Sequence, residues 1–264
     1  MNLQLHIINN IPQLYFILFL MLSIALIVMI FNNIINRYFP LVTHVDNQNL
    51  VYSMINVVST YYAVLMGFVI IALWQSYNHA IVIVDTEASN LAIIVRDCAV
   101  FPKAFQNQLT SAVGEYIKYV IGDEWELMKW GKISPLAEHA FENIYKVLQD
   151  YTPQAGQESM FYNNIIAYLN NAQESRRQRI LAIDSLLPDA LRFIMIFGAV
   201  SIPLFLALIK IQNKNLHQFI IIIVSCILGF NLGFGLNLDY PFAGLVKVSP
   251  TQYTQGVLAQ FKQK

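Results

Sequence analysis

Charge is scarce in this chain. Asp, Glu, Lys and Arg make up only 12% of its 264 residues, against 56% hydrophobic residues. Soluble domains carry about twice that charged fraction, so a free-standing soluble fold does not fit. What charge exists is balanced, with a formal net charge of zero. That removes any bulk electrostatic attraction to nucleic acid. Cysteine is nearly absent: Cys98 and Cys226 stand far apart, the second inside an apolar run, so neither a disulfide framework nor a zinc site is indicated. The five histidines, His6, His44, His79, His139 and His217, show no metal-ligand spacing, and Glu138-His139 lacks the second histidine of a zinc-protease motif. There is no glycine-rich phosphate loop and no serine in a nucleophile elbow. The chain is therefore read as a non-enzyme, with no cofactor and no metal expected.

What the chain does have is long apolar runs. The strongest lies in the stretch from His217 to Gly244, where Phe219 to Leu238 carries no charge. That is about the length a helix needs to cross a bilayer. Ser225, Gly229 and Gly233 recur every four residues, so they share one helix face. Small residues on one face let a second helix approach closely in lipid. Asn231, Asn237 and Asp239 put amide and carboxylate groups at or near membrane depth, where such groups turn toward protein or water. Pro241 ends the helix.

Three further runs precede it. Leu14 to Phe31 is too long for a signal peptide and has no Lys or Arg before it. The second centres on Tyr61 to Trp74 and starts near Tyr52. No Pro or Gly interrupts it between Phe68 and Val100, so the helix is expected to continue to Phe101-Pro102. Such a helix rises about 75 Å, well beyond the roughly 30 Å hydrocarbon core, and its second half would stand outside the membrane. The third run, Phe193 to Ile209, follows Leu187-Pro188-Asp189 and contains Pro203, which should bend it.

The expected architecture is an all-α integral membrane protein: four transmembrane helices in two hairpins, with a helical cytoplasmic domain between the second and third. The boundaries are 12–77 for the first hairpin, 78–189 for the domain, 190–240 for the second hairpin and 241–264 for a cytoplasmic tail. Arg96, Arg176, Arg177, Arg179, Arg192 and Lys247 fall on one side, and Arg37, Lys210 and Lys214 on the other. The richer side is read as cytoplasmic, with both termini on it.

Within 78–189 the patterns are helical throughout. Phe105, Leu109, Val113, Tyr116 and Val120 form one stripe. Ser134 and Pro135 open a helix that runs to about Asp150. A second stripe, Phe161, Ile165, Leu169, Ala172, Ile180, Ile183 and Leu187, is interrupted by Arg176. That charge either reaches the rim of the interface or pairs with an acid of the long helix, Asp85, Glu87 or Asp97; Arg177 and Arg179 would serve equally well if the helix were rotated. Trp125 and Trp130, beside Asp123, Glu124 and Glu126, are read as domain core, with a membrane-interface anchor as the alternative. Asp239 opposes the dipole at its helix C-terminus, so a compensating donor is expected, Arg192, Arg179 or the backbone of the following turn, with a solvated Asp at the interface as the alternative.

Two places carry a resemblance. One is Glu87-Ala88-Ser89-Asn90-Leu91 continuing to Arg96 and Phe101-Pro102. The other is Leu238-Asp239-Tyr240-Pro241-Phe242-Ala243-Gly244, followed by Val248-Ser249-Pro250. With the arginine-rich helix before Leu187-Pro188 and the two-plus-two arrangement of apolar runs, the chain resembles the bestrophin-like family of bacterial membrane proteins over roughly Tyr52 to Phe261. Glu87, Asn90, Arg96, Arg176, Arg179, Asp239, Pro241 and Gly244 are the structural motif residues of that match. The resemblance implies a bacterial inner-membrane location and, through the bestrophins, an oligomeric anion channel with a long pore-lining helix. An acidic calcium clasp is not recognisable here.

Two functions follow as expectations. The first is a homo-oligomeric ion channel in the lipid bilayer, with inorganic ions as its partners and a pore on the symmetry axis. The second helix would line it, with Asn56, Ser59 and Thr60 as the polar end and Leu65, Phe68 and Ile71 as an apolar constriction. The second is a non-conducting membrane sensor or scaffold whose helical domain binds a partner.

Overall fold

The computed structural model describes residues 3–38, 48–209, 212–244 and 246–262. Helices α1 (Leu3–Asn10) and α2 (Gln13–Tyr38) come first, then the long α3 (Gln48–Asp97). Next are α4 (Lys103–Tyr119), a π-helical turn at Val120–Glu124, and α5 (Trp125–Met128). The remaining helices are α6 (Pro135–Gln149), α7 (Gln157–Leu181), α8 (Asp189–Ala207) and α9 (Lys214–Leu238), followed by 3-10 turns at Pro250–Thr254 and Gly256–Phe261. No strand occurs among the described residues. Four helical stretches are long and apolar enough to cross a membrane: Leu14–Tyr38, Asn49–Val100, Asp189–Ala207 and Lys214–Leu238. The cysteine-poor, proline-punctuated sequence thus forms the all-helical fold its periodicity predicts.

The chain divides into two compact units. The span unit comprises residues 10–75 and 185–239. In it α2 packs on α9 and on α8, and α8 on α9. Its interior is filled by Ile24, Val28, Met66, Val69, Leu73, Met195 and Ile221. Close approach depends on glycine. A Cβ on Gly229 would stand 2.8 Å from the Met21 Cα, and one on Gly233 3.1 Å from the Ile17 side chain. Against α8, Tyr62 lies over Gly198 and its hydroxyl donates to the Met195 carbonyl at 3.0 Å.

The charged unit comprises residues 1–9, 76–184 and 240–264. Its core joins Val84, Leu91 and Ile94 of α3 with the α4 stripe Phe105, Leu109, Val113, Tyr116 and Val120. Phe141 and Ile144 of α6 and Ile165, Leu169 and Ala172 of α7 complete it. The Ser134 hydroxyl accepts the Ala137 N–H at 3.2 Å and Pro135 occupies the first turn of α6, the cap that the sequence predicts. The α7 stripe does not stay helical to Leu187: the helix stops at Leu181. Leu187 precedes Pro188, which disfavours helical backbone at the residue before it, and the chain has already turned by Ala182. Chain from the C-terminal end closes the core with Val248, Tyr253 and Leu258, and Phe261 lies against Gly114.

Candidate functional site: one exposed helix face and two charge clusters

The first half of α3 belongs to the span unit, and no Asp, Glu, Lys or Arg occurs from Gln48 to Val84. Asn56, Thr60, Phe68 and Ile71 are exposed on it, together with Val57 and Val64. Ser59 and Leu65 are half-buried at its flanks. The three apolar candidates do not share one row. Leu65 and Phe68 line a groove of about 450 Å³ with Tyr61, Val64 and Ala72. Ile71 lines another, of about 690 Å³, with Ser59, Gly67 and Asn231. The reason is the 3.6-residue turn: each step of three residues falls about 60° short of a full circle, so Leu65 and Ile71 end about 120° apart. On α9, Ser225 is buried like Gly229 and Gly233, and its hydroxyl has no hydrogen-bond partner among the described residues.

A second cluster fills the centre of the charged unit. Arg179 is fully buried. Its Nε donates to Glu87 Oε2 at 2.8 Å and its Nη2 to Glu124 Oε2 at 2.8 Å. Arg176, one turn earlier on α7, donates from Nη2 to Glu124 Oε1 at 2.9 Å and from Nη1 to Glu138 Oε2 at 2.5 Å. The Tyr116 hydroxyl donates to Glu87 Oε1 at 2.5 Å. The guanidinium groups also lie over aromatic rings, Arg179 over Trp125 at 5.3 Å and Arg176 over Phe141 at 5.8 Å. Burial works against the Arg179 charge, but the Glu87 carboxylate, helped by Glu124, more than offsets it and holds its pKa well above the ordinary arginine value. Burial first, and then Glu87, push the phenols of Tyr116 and Tyr253 well above theirs.

This arrangement corrects the pairing expected for Arg176. Its partners are Glu124 and Glu138, not Asp85, Glu87 or Asp97. Glu87 goes to Arg179 instead, and Asp97 accepts from the Asn164 amide at 2.8 Å. The π-helical turn brings Glu124 and Trp125 inward together. Glu124 lies outside the long helix, in a π turn whose register no sequence periodicity marks. The two tryptophans also separate: Trp125 is buried, whereas Trp130 is exposed. Of the other motif residues, Asn90 is buried on α3 with its amide nitrogen unpaired among the described residues, and Arg96 is exposed beside Asp97. The Pro241 carbonyl accepts the Val248 N–H at 2.8 Å, and Gly244 adopts a positive φ of 83°.

The third cluster ends α9 inside the span unit. Asp239 is fully buried. Its Oδ1 accepts the Leu187 N–H at 2.8 Å and its Oδ2 accepts from Arg192 Nη2 at 2.9 Å. The Ser185 hydroxyl is within 3.0 Å of both oxygens, and the Asp239 carbonyl accepts the Leu186 N–H at 3.3 Å. Of the donors weighed from the sequence, Arg192 takes the place; Arg179 is committed to Glu87 and Glu124. All three clusters lack an activated nucleophile, and no three His, Cys, Asp or Glu side chains converge as a metal site among the described residues. Their chemistry is positional: one exposed neutral face, and two sets of charges that tie helix ends together.

A sequence profile of the bestrophin-like domain matches residues 22–253, nearly the whole chain. The chain belongs to the bestrophin-like family. Solved structures agree on the fold of this bestrophin-like protein. One mutant of a bacterial bestrophin homologue from Klebsiella pneumoniae superposes with a TM-score of 0.70 at 12% identity, covering 94% of this chain and 99% of that one. A second mutant of a Klebsiella pneumoniae bestrophin homologue gives 0.64 at 14% identity, covering 94% of each chain. No curated protein sequence matches.

Proposed function

We propose that this bestrophin-like protein is a homo-oligomeric ion channel whose pore lies on the symmetry axis, lined by the exposed face of α3. The observation that carries this is the composition of that face. It is free of charge and bears Asn56 and Thr60 toward one end and Phe68 and Ile71 toward the other. Large apolar residues and neutral amides exposed on one helix suit a lining that is completed by neighbouring copies. Buried side chains such as Val28, Met66, Leu73 and Met195 occupy the interior of the span unit, which supports a conduction path between chains. Neutral amide and hydroxyl donors tolerate anions, which agrees with the anion conduction of bestrophins.

The setting that goes with this reading is a bacterial inner membrane with both termini and the 78–189 region in the cytoplasm. A cysteine at exposed Ala155 should then resist an impermeant thiol reagent in intact cells and react after permeabilisation. The deciding experiment is ion flux from proteoliposomes holding only this protein. Flux is expected, and Phe68→Ala should raise it by widening the apolar step; silent vesicles containing folded protein would refute the channel. One feature favours a second reading, a non-conducting scaffold. A polar groove of about 710 Å³ in the charged unit, lined by Asn107, Gln108, Ser111, Glu115, Asn143 and Asp150, offers a partner hydrogen-bonding groups. Absence of flux together with a partner bound at that groove would select it.

A further inference from the structure

The turn between α5 and α6 presents large apolar side chains outward on a rigid backbone. Helix α5 ends in a Schellman motif: the Lys132 N–H reaches the Leu127 carbonyl at 3.1 Å and the Gly131 N–H the Met128 carbonyl at 3.1 Å. Gly131 takes the left-handed conformation that this cap requires, with φ of 70°. Three residues on, Ser134 and Pro135 start α6. Between these two caps the chain has little freedom, yet Trp130 is 39% exposed, Ile133 48% and Leu136 49%. A hydrophobic residue just before an N-cap usually packs on the fourth helical residue. Here that residue is Glu138, which is engaged by Arg176, so Ile133 has no such partner. Lys132, between Trp130 and Ile133 in sequence, is exposed as well.

The same turn is fastened to α1. The Asn9 amide donates to the Lys129 carbonyl at 2.5 Å, Leu5 packs over Gly131, and the His6 ring lies 6.1 Å from that of Trp130. Only Ile11 and Pro12 separate α1 from α2, the first apolar span. The four Cα steps from Asn9 to Gln13 reach at most about 14 Å. The turn is thus bonded to a residue that only three others separate from the first apolar span. An indole, two aliphatic side chains and an ammonium are the groups that partition into the headgroup zone, the aromatic ring at the level of the glycerol and the cation toward phosphate.

We propose that Trp130, Ile133 and Leu136, with Lys132, form a membrane-surface anchor that seats the α5–α6 turn in the interfacial zone of the phospholipid bilayer. The anchor holds whether or not the protein conducts ions, since it rests only on α2 spanning the membrane. The partner is the lipid surface and not a second copy of the chain, because a cation beside an indole and aliphatic side chains matches the phosphate and acyl boundary of a headgroup zone, and only three residues separate Asn9 from the first apolar span.

The test uses the full chain reconstituted in vesicles of mixed zwitterionic and anionic phospholipid, with acyl chains brominated near their headgroup ends. Wild type and Trp130→Tyr are compared, so that the difference reports Trp130 alone while Trp74 and Trp125 cancel. The expected result is a Trp130 component quenched several-fold more by the shallow bromines than by bromines placed at the chain ends. A second readout is an environment-sensitive dye on Ile133→Cys, whose emission should move to the blue on passing from lipid-free detergent to vesicles. No bromine quenching of the Trp130 component overturns the anchor. So does a blue shift in the dye that depends on mixing labelled with unlabelled chains, which would assign the patch to a second copy.

Discussion

In the charged unit, the side chains withdrawn from solvent include Glu87, Glu124, Arg176 and Arg179, each paired or hydrogen-bonded. In the span unit the pattern turns over. Phe19, Leu22, Val57, Phe68, Phe193 and Phe219 are exposed, while Ser225, Gly229, Gly233 and Asn237 are inside. Water solvates charge and expels apolar surface, so a unit in water can hide ions only in matched sets. A bilayer accepts apolar surface at no cost, so helices meet there through small residues that let backbones approach. Asp239 belongs to the span unit but follows the charged unit's rule, with the bonds of its carboxylate supplied from within its own unit.

The comparison breaks most visibly if the buried ions are disturbed. Arg179→Leu leaves Glu87 and Glu124 buried without their shared cation, and should cost about 3–5 kcal/mol. Loss of folded protein, or a large fall in melting temperature in detergent, would show it; a wild-type melt would mean the network contributes nothing. Replacing Arg179, Glu87 and Glu124 together with apolar residues of similar volume should recover much of that loss, since no charge then remains unpaired. Next in size is Asp239→Ala, which strips the Leu187 N–H and Arg192 of their acceptor. About 1.5–3 kcal/mol is expected, read from the same melting curves; no change there would mean that these bonds do not hold the end of α9.

Gly229→Leu probes the opposite rule. Its side chain would meet the Met21 backbone, which cannot swing aside, whereas Gly233→Leu meets the flexible Ile17 side chain. Overpacking of about 1–3 kcal/mol is expected, with Gly229→Leu the worse of the two. Equal, wild-type melting of both would mean that α2 and α9 are not closely packed in the membrane.

Alkaline pH sharpens the contrast more gently. Tyr116 and Tyr253 are held protonated in the folded state, so their pKa values lie above the unfolded value of about 10. Below that pH both states carry the proton and the full stability is present. As pH rises past about 10 the unfolded chain alone loses protons, and stability falls. Tyr116→Phe and Tyr253→Phe should flatten that decline in a series of melts. The smallest effect belongs to the surface: hydrogen bonds from Arg177 and Gln178 draw the Glu174 carboxyl down to about 2, yet all of it is in water. Glu174→Gln should leave the melting temperature within experimental error.

Local patterns were legible before any coordinates. The apolar runs, the Ser134 cap, the α4 stripe and the uninterrupted α3 each depend on neighbours a few residues apart, so spacing alone reveals them. The need for a donor at Asp239 was legible too, because a carboxylate at a helix C-terminus opposes the dipole. The partners of Arg176 were not. Glu124 and Glu138 are 52 and 38 residues away, and the π turn that helps to aim Glu124 inward has no signature in composition. The same holds for the division of Leu65 and Ile71 between two grooves, which depends on where α8 and α9 pack on α3.

By itself, then, the sequence determined the all-helical class, the four membrane-length helices and the bestrophin-like kinship, because each is written in short-range periodicity, length or local motif. Only the tertiary structure decided that Arg179 and Arg176 share Glu124, that Arg192 and Ser185 close on Asp239, and that Trp125 is core while Trp130 is not. Those outcomes turn on which distant side chains come within about 3 Å of one another, and a buried charge settles on whichever partner the packed helices place there.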